Sequence, residues 1–412
     1  MSRLDELRPA RTSLRYGTPA CLSAHVGAAY LVAGVALVMT ATSMIDLFGK
    51  PLGYDFITFW AASHLTLGGE AAAAFDLKRI FAAEQLAVPA NEGLFLWHYP
   101  PTYQLLVAPL ALLPYALAFF AFVGAGLAAY ALTLRKLLDE RVARGRDALF
   151  LLVAFPGVFI CVFHGQNSLY SAALFAGGLL AMERGRPYLA GLALGLLAYK
   201  PQFGLLIPVA LIAAREWRLF FSTGTVALGF AGLATLILGL DLWLVFVKNG
   251  PVLREVMETG MLPWHKMPSA FIFLRYLGVP EGFSYAAQGL TALAAAACVA
   301  IVWRRRGAAR LSWAVLISAT LLVPPYIFDY ELAITGVVLV ILASDMIERG
   351  ATRFEKIALV ALYIMPGVLA AFVEHTHLQI GFPALLFLLY LSMKRAMSLT
   401  EMRPSLSTLT PL

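Results

Sequence analysis

Tyr99–Pro114 reads YPPTYQLLVAPLALLP, and its path relative to a bilayer decides the fold of the whole chain. The stretch is apolar, but its 16 residues fall short of the about 20 that a membrane-spanning helix needs. It opens on Tyr99-Pro100-Pro101, and Pro109 and Pro114 follow. Prolines lack the backbone N–H and suit the first turn of a helix better than its interior.

The surroundings are those of a polytopic membrane protein. Of 412 residues, 60% are hydrophobic and only 13% charged, against about 25% charged in soluble domains. Mean hydropathy is +0.78. This composition excludes a secreted, nuclear or cytosolic enzyme, and it excludes disorder. Apolar spans fall near 22–48, 115–134, 148–164, 168–183, 188–200, 202–214, 219–240, 285–303, 311–328, 330–346, 357–373 and 378–393. The first follows Arg3, Arg8, Arg11 and Arg15 and is too long for a signal-peptide core, so it reads as an uncleaved first helix.

Basic residues settle the path of Tyr99–Pro114. If it stays on one side, 23 of the 31 Lys and Arg lie in inner loops; if it crosses, 9 lie inside and 22 outside. The positive-inside rule selects the first arrangement. The segment is then a re-entrant or interfacial helix on the outer side, where neighbouring protein satisfies its backbone. The expected fold is all-α, a single integral-membrane domain over 1–412 with about 12 transmembrane helices. It is multi-pass in the cytoplasmic membrane with both termini cytoplasmic. A first outer loop, 49–114, contains juxtamembrane helices, and a second outer segment covers 241–284. The net charge of +7 then reports topology, and no nucleic-acid partner is implied. Cys21, Cys161 and Cys298 lie far apart, with no metal-binding spacing and no expected disulfide.

The few polar groups left in the spans and outer loops carry the functional reading, because charge near a bilayer is costly to keep. Six of seven histidines fall on the outer side: His64, His98, His164, His265, His375 and His377. Asp55 follows the first span and precedes Phe56, Phe59 and Trp60. Partial desolvation there would raise its pKa and suit it as a general base; it also reads as a loop aspartate or an N-cap. His98 and Tyr99 stand at the entrance of the proline-started helix, where His98 also reads as an interfacial anchor. His164-Gly165-Gln166-Asn167 is a turn whose donors and acceptors suit sugar hydroxyls or phosphate oxygens, or merely satisfy helix ends. Lys200, before Pro201, opposes the inner bias of the basic residues and can meet a phosphate as a point charge, or snorkel to the interface. Arg254, His265 and Lys266, in the second outer segment, can add positive charge near a lipid phosphate, or more simply contact anionic head groups. Asp329, in a proline-marked turn, can pair with Lys200 or with a substrate hydroxyl. No metal site, Walker loop, G-x-G-x-x-G or G-x-S-x-G is present, and no cofactor is expected.

Taken in order, Asp55-Phe56, Tyr99-Pro100-Pro101, Gly165-Gln166-Asn167, the basic loop 183–186 and the span from Gly191 to Lys200-Pro201 resemble the GT-C class of integral-membrane glycosyltransferases. The resemblance is to family 87, which includes polyprenyl-phosphate-mannose-dependent mannosyltransferases. It is good over 50–218, looser over 260–331, where Met267-Pro268-Ser269 and Pro324-Pro325-Tyr326 fit, and beyond 331 it is hydropathy alone. It implies transfer of a hexose, mannose in the first instance, from a polyprenyl-phosphate-linked sugar donor to a lipid or glycan acceptor at the outer face. Asp55 matches the inverting base, and Lys200, His265 or Lys266 would stabilise the leaving phosphate. The competing readings are a secondary transporter, which would place polar groups at the midplane and show repeats, and a non-enzymatic component of envelope-polysaccharide assembly or export.

Overall fold

The computed structural model describes residues 18–138 and 146–398. The expectations for Arg3, Arg8, Arg11 and Arg15, for the two termini and for the loop centre 139–145 lie outside the described residues.

The chain is an all-α membrane protein. In order come α1 (Thr18–Thr40), α2 (Phe56–Leu67), α3 (Leu77–Ala87), α4 (Pro101–Val107), α5 (Tyr115–Leu137), α6 (Arg146–Val153), α7 (Pro156–Phe163), α8 (Ser168–Glu183), α9 (Pro187–Leu196) and α10 (Pro201–Gly204). Then follow α11 (Ile207–Ala214), α12 (Trp217–Leu238), α13 (Asp241–Glu258), α14 (Ala270–Tyr276), α15 (Glu281–Arg306), α16 (Arg310–Thr320), α17 (Thr335–Arg349), α18 (Arg353–Thr376) and α19 (Gly381–Ser398). Among the described residues, five stretches are long and apolar enough to cross a membrane: 115–137, 217–238, 281–306, 329–349 and 353–376. Helix occupies each of the other apolar stretches too, in shorter or broken pieces.

Burial sorts these helices. Every residue from Leu311 to Thr320 in α16 is buried, and α17 is buried along most of its length. Both are apolar on all sides, as a helix enclosed by other helices must be. By contrast α12 exposes Leu228, Leu233, Leu236 and Ile237, an apolar face suited to lipid. Helices α9 and α12 pack closely because Gly191 and Gly195 face them together. A Cβ at Gly195 would stand 2.6 Å from Val226 Cβ. Small residues four apart allow such backbone approach in membranes.

Two expected spans end early, each for a local reason. The first helix stops at Thr40 rather than Phe48. Asp46 Oδ1 accepts the Phe48 and Lys50 backbone N–H groups at 2.8 and 2.9 Å, fixing a turn, so Leu47 and Phe48 lie exposed. The expected span 311–328 is helical only to Thr320; Pro324 and Pro325 follow and cannot donate to a helix. The stretch 99–114 forms the short helix α4 and a 3-10 turn at Leu110–Leu112. The segment 241–284, read only as an outer segment, holds the 18-residue α13.

At one end of the bundle the basic residues meet acids. Arg310 forks onto Glu183 at 2.6 and 2.9 Å. Arg395 of α19 bonds Asp345 at 2.6 Å and Glu355 at 3.3 Å, tying α17, α18 and α19 together. The other end gathers the helix junctions near 53–56, 98–101, 164–168, 199–201, 264–267 and 326–331.

Candidate functional site

Two glycine turns build the centre. Gly53 and Gly165 adopt φ of +87° and +58°, and Tyr54 between them and α2 also has positive φ. A Cβ on Gly165 would lie 2.5 Å from Phe56 Cβ and 2.8 Å from the Gly53 carbonyl oxygen. The turn after α7 therefore rests directly on the turn before α2, and this contact brings Asp55 to Gln166.

Asp55 occupies the N-cap position of α2, yet its carboxylate makes no cap bond. Instead Oδ2 accepts the Gln166 side-chain N–H at 2.8 Å. Gln166 Oε1 in turn accepts the Tyr99 hydroxyl at 3.1 Å. Gln166 is buried, so both ends of its amide are committed within the protein. Tyr99 is held among rings, with Tyr103 at 4.4 Å, His98 stacked at 4.7 Å and Phe59 edge-on at 5.3 Å. Burial pushes its hydroxyl well above the usual tyrosine range, so it stays a neutral donor.

Lys200 ends a 3-10 turn at Leu197–Tyr199 and is only 2% exposed. Its ammonium bonds Glu331 Oε1 at 3.0 Å. It also lies over the rings of Tyr99, Phe203 and Tyr330 at 5.9, 5.4 and 5.7 Å. Glu331 is fixed from its other side, where Oε2 accepts the Phe328 N–H at 3.0 Å. The partner of Lys200 is therefore Glu331, not Asp329. Asp329 is buried, and its Oδ1 takes the Tyr330 N–H at 2.9 Å.

A small cleft of about 50 Å³ opens here, with His98, Tyr99, Lys200, Tyr326, Tyr330 and Glu331 in its wall. His98 Nδ1–H donates to the Leu96 carbonyl at 3.1 Å, and Nε2 faces the Tyr326 hydroxyl at 3.4 Å. Burial pulls His98 down to about 4, so it is neutral at pH 7. Asp55 does not line this cleft; it reaches the wall through Gln166 and Tyr99.

His164 stands 5.7 Å from the ring of Tyr330. Its Nδ1–H donates to the Ile160 carbonyl at 2.9 Å, leaving Nε2 to accept from Lys266 at 3.1 Å. Lys266 makes no ion pair among the described residues. His265 precedes it in the 3-10 turn Trp264–Lys266, and burial lowers its pKa against the pull of Glu374. Asn167 turns inward and is 1% exposed, and its side-chain amide forms no well-made hydrogen bond; its carbonyl accepts the Tyr199 hydroxyl. Arg254 lies elsewhere, paired with Glu258 and Glu281. Among the described residues no three His, Cys, Asp or Glu side chains gather as a metal site would require.

Sequence reasoning missed Glu331, Tyr326 and Tyr330. Glu331 had a signal, since it is an acid inside the apolar run 330–346, and an ionisable group in a span marks function or a partner. The tyrosines carried none, because aromatic residues are common at every membrane interface.

The sequence profile of glycosyltransferase family 87 matches residues 97–325, more than half of the chain. That range holds Tyr99, Gln166, Lys200 and Lys266. No curated protein and no solved structure matches the chain.

Proposed function

The chain belongs to glycosyltransferase family 87, and from that premise we propose that it moves a hexose, mannose in the first instance, from a polyprenyl-phosphate-linked donor to a lipid or glycan acceptor. Transfer takes place at the outer face of the cytoplasmic membrane, with both termini on the cytoplasmic side.

Asp55 is the base. The acceptor oxygen attacks the anomeric carbon as its proton passes to the free Asp55 oxygen. The bond from that carbon to the phosphate oxygen breaks, and polyprenyl phosphate leaves with the electron pair. Attack opposite the leaving group inverts the anomeric centre. Negative charge grows on the phosphate, so a cation held beside it in a site poor in water lowers the barrier. Lys266, next to His265, is the cation placed for that role, because Lys200 is already paired with Glu331. The observation supporting this reading is the Gln166–Asp55 hydrogen bond. It holds one carboxylate oxygen and leaves the second without a partner among the described residues.

The test is sugar transfer from a radiolabelled polyprenyl-phosphate mannose in membranes carrying the protein or its Asp55→Asn variant. Loss of a positioned base costs about 10²–10⁴-fold. Full activity in Asp55→Asn would overturn the base assignment. Transfer by neither form, with galactose and arabinose donors also failing, would overturn the donor class and favour a transporter.

A further inference from the structure

Lys200 lies over the Tyr330 ring, Lys266 is bonded to His164 beside that ring, and the surroundings of the two lysines differ in charge. Lys200 is neutralised at 3.0 Å by Glu331, and both side chains are nearly fully buried. The rest of the cleft wall, His98, Tyr99, Tyr326 and Tyr330, is uncharged at pH 7. A phosphate entering this cleft would meet no net positive charge and would have to displace a buried carboxylate. Lys266 is held instead by Nε2 of His164, with no carboxylate at ion-pair distance among the described residues. Asp329 lies within electrostatic range of Lys266 but outside ion-pair distance.

We propose that the cleft around Lys200 and Glu331 binds the ring of a neutral sugar through its hydroxyls, while Lys266 alone takes the phosphate. The inference rests on the glycosyltransferase reading above and gives Lys200 a different partner from the leaving phosphate. A sugar hydroxyl both donates and accepts, so it fits between an ammonium and a carboxylate. Lys200 has three donors, of which Glu331 takes one. The Glu331 carboxylate has about four acceptor sites and uses two. The apolar face of the ring packs on Tyr326.

The test separates two probes in detergent-solubilised protein. Methyl glycosides of mannose, galactose and arabinose are followed by saturation-transfer NMR, and farnesyl phosphate by phosphorus NMR. Glu331→Gln alone leaves Lys200 buried and unpaired, so the informative variant is Lys200→Met with Glu331→Gln, which removes both charges; thermal unfolding confirms that it is folded. The expected result is at least a tenfold loss of glycoside binding with farnesyl phosphate binding within twofold of wild type. Lys266→Gln is expected to do the reverse. Adding farnesyl-phosphoryl mannose then identifies the source of the ring. Co-occupancy with the glycoside assigns the cleft to the acceptor's sugar, and displacement assigns it to the donor's; both support a neutral subsite. The proposal is overturned if none of the glycosides binds wild type, if the double variant still binds them, or if it loses both probes together. None of these readouts needs turnover, so failure of sugar transfer in membranes and failure of this inference are separate results.

Discussion

The Gln166 side-chain amide donates to Asp55 Oδ2 over 2.8 Å, joining two residues 111 positions apart in the chain. The same amide accepts from Tyr99, so Gln166 cannot rotate without breaking one bond or the other. Gln166→Leu should therefore leave Asp55 ionisable but loosely aimed. A misplacement of about 1 Å can cost about 10² in rate. We expect kcat to fall by roughly that factor with KM changed less than threefold. Gln166→Glu would set a second carboxylate against Asp55 and should also move the pH profile upward, because a nearby like charge disfavours ionisation. A kcat equal to wild type in both variants would remove Gln166 from the orientation of Asp55.

The Lys200–Glu331 pair makes a stability prediction independent of catalysis. Removing one partner of a buried pair leaves an uncompensated charge and costs about 3–5 kcal/mol. Lys200→Met should therefore lower the unfolding temperature in detergent far more than Lys200→Met combined with Glu331→Gln. The exposed Lys394, paired with Glu355 at 3.1 Å and 47% exposed, is the control. Its loss should cost under about 1 kcal/mol. Equal effects of the single and double variants at 200 and 331 would contradict the pairing.

Gly165 tests the contact between the two turns. Its φ of +58° is unfavourable for any residue with a Cβ, and that Cβ would press on Phe56 and on the Gly53 carbonyl. Backbone strain of this kind costs on the order of 1–3 kcal/mol. Relief requires the turns to part, which separates Gln166 from Asp55. Gly165→Ala should thus lose both thermal stability and transfer, whereas Gly185→Ala should lose stability only. Gly185 also has positive φ, at +66°, but has open space around it.

How far the site was legible depended on what kind of signal each residue left. Gln166 and Lys200 stood out because each is a polar group beside a helix breaker in an apolar chain, and Asp55 because it is a carboxylate between the first span and an aromatic run. Their adjacency was not readable, since it depends on two glycine turns meeting across the fold. Glu331 was hidden by being counted into a span, and that hid the true partner of Lys200. The first span was overrun because Leu47 and Phe48 continue its apolar run; the helix ends at Thr40, and beyond it Asp46 fixes a turn that no change in hydropathy signals. Helix α13 was missed for the opposite reason. Lys248, Asn249, Pro251 and Arg254 interrupt its apolar pattern, yet Phe246 and Asn249 still pack it onto the loop over the site, Phe246 against Phe75 and Asn249 donating to the Trp97 carbonyl.

Glu84 of α3 gives the pH prediction. It is fully buried, one carboxyl oxygen takes the Phe95 N–H at 3.3 Å, and the other has no partner. Burial raises it to about 8, against the weaker opposing pull of the Phe95 bond. The folded pKa lies above the unfolded one, so the folded state holds the proton more tightly. The protein is then fully stabilised by the neutral acid at pH values below the ordinary glutamate range. Stability falls as pH rises from that range to about 8, by at most about 1.4 kcal/mol per pH unit, and the loss levels off above it. Glu84→Gln keeps an acceptor for Phe95 and cannot ionise. Its unfolding temperature should match wild type near pH 5 and exceed it increasingly up to about pH 8. The difference between the two curves isolates this one group from every other titration. Curves that stay parallel from pH 5 to 9 would show that Glu84 does not carry its proton through neutrality.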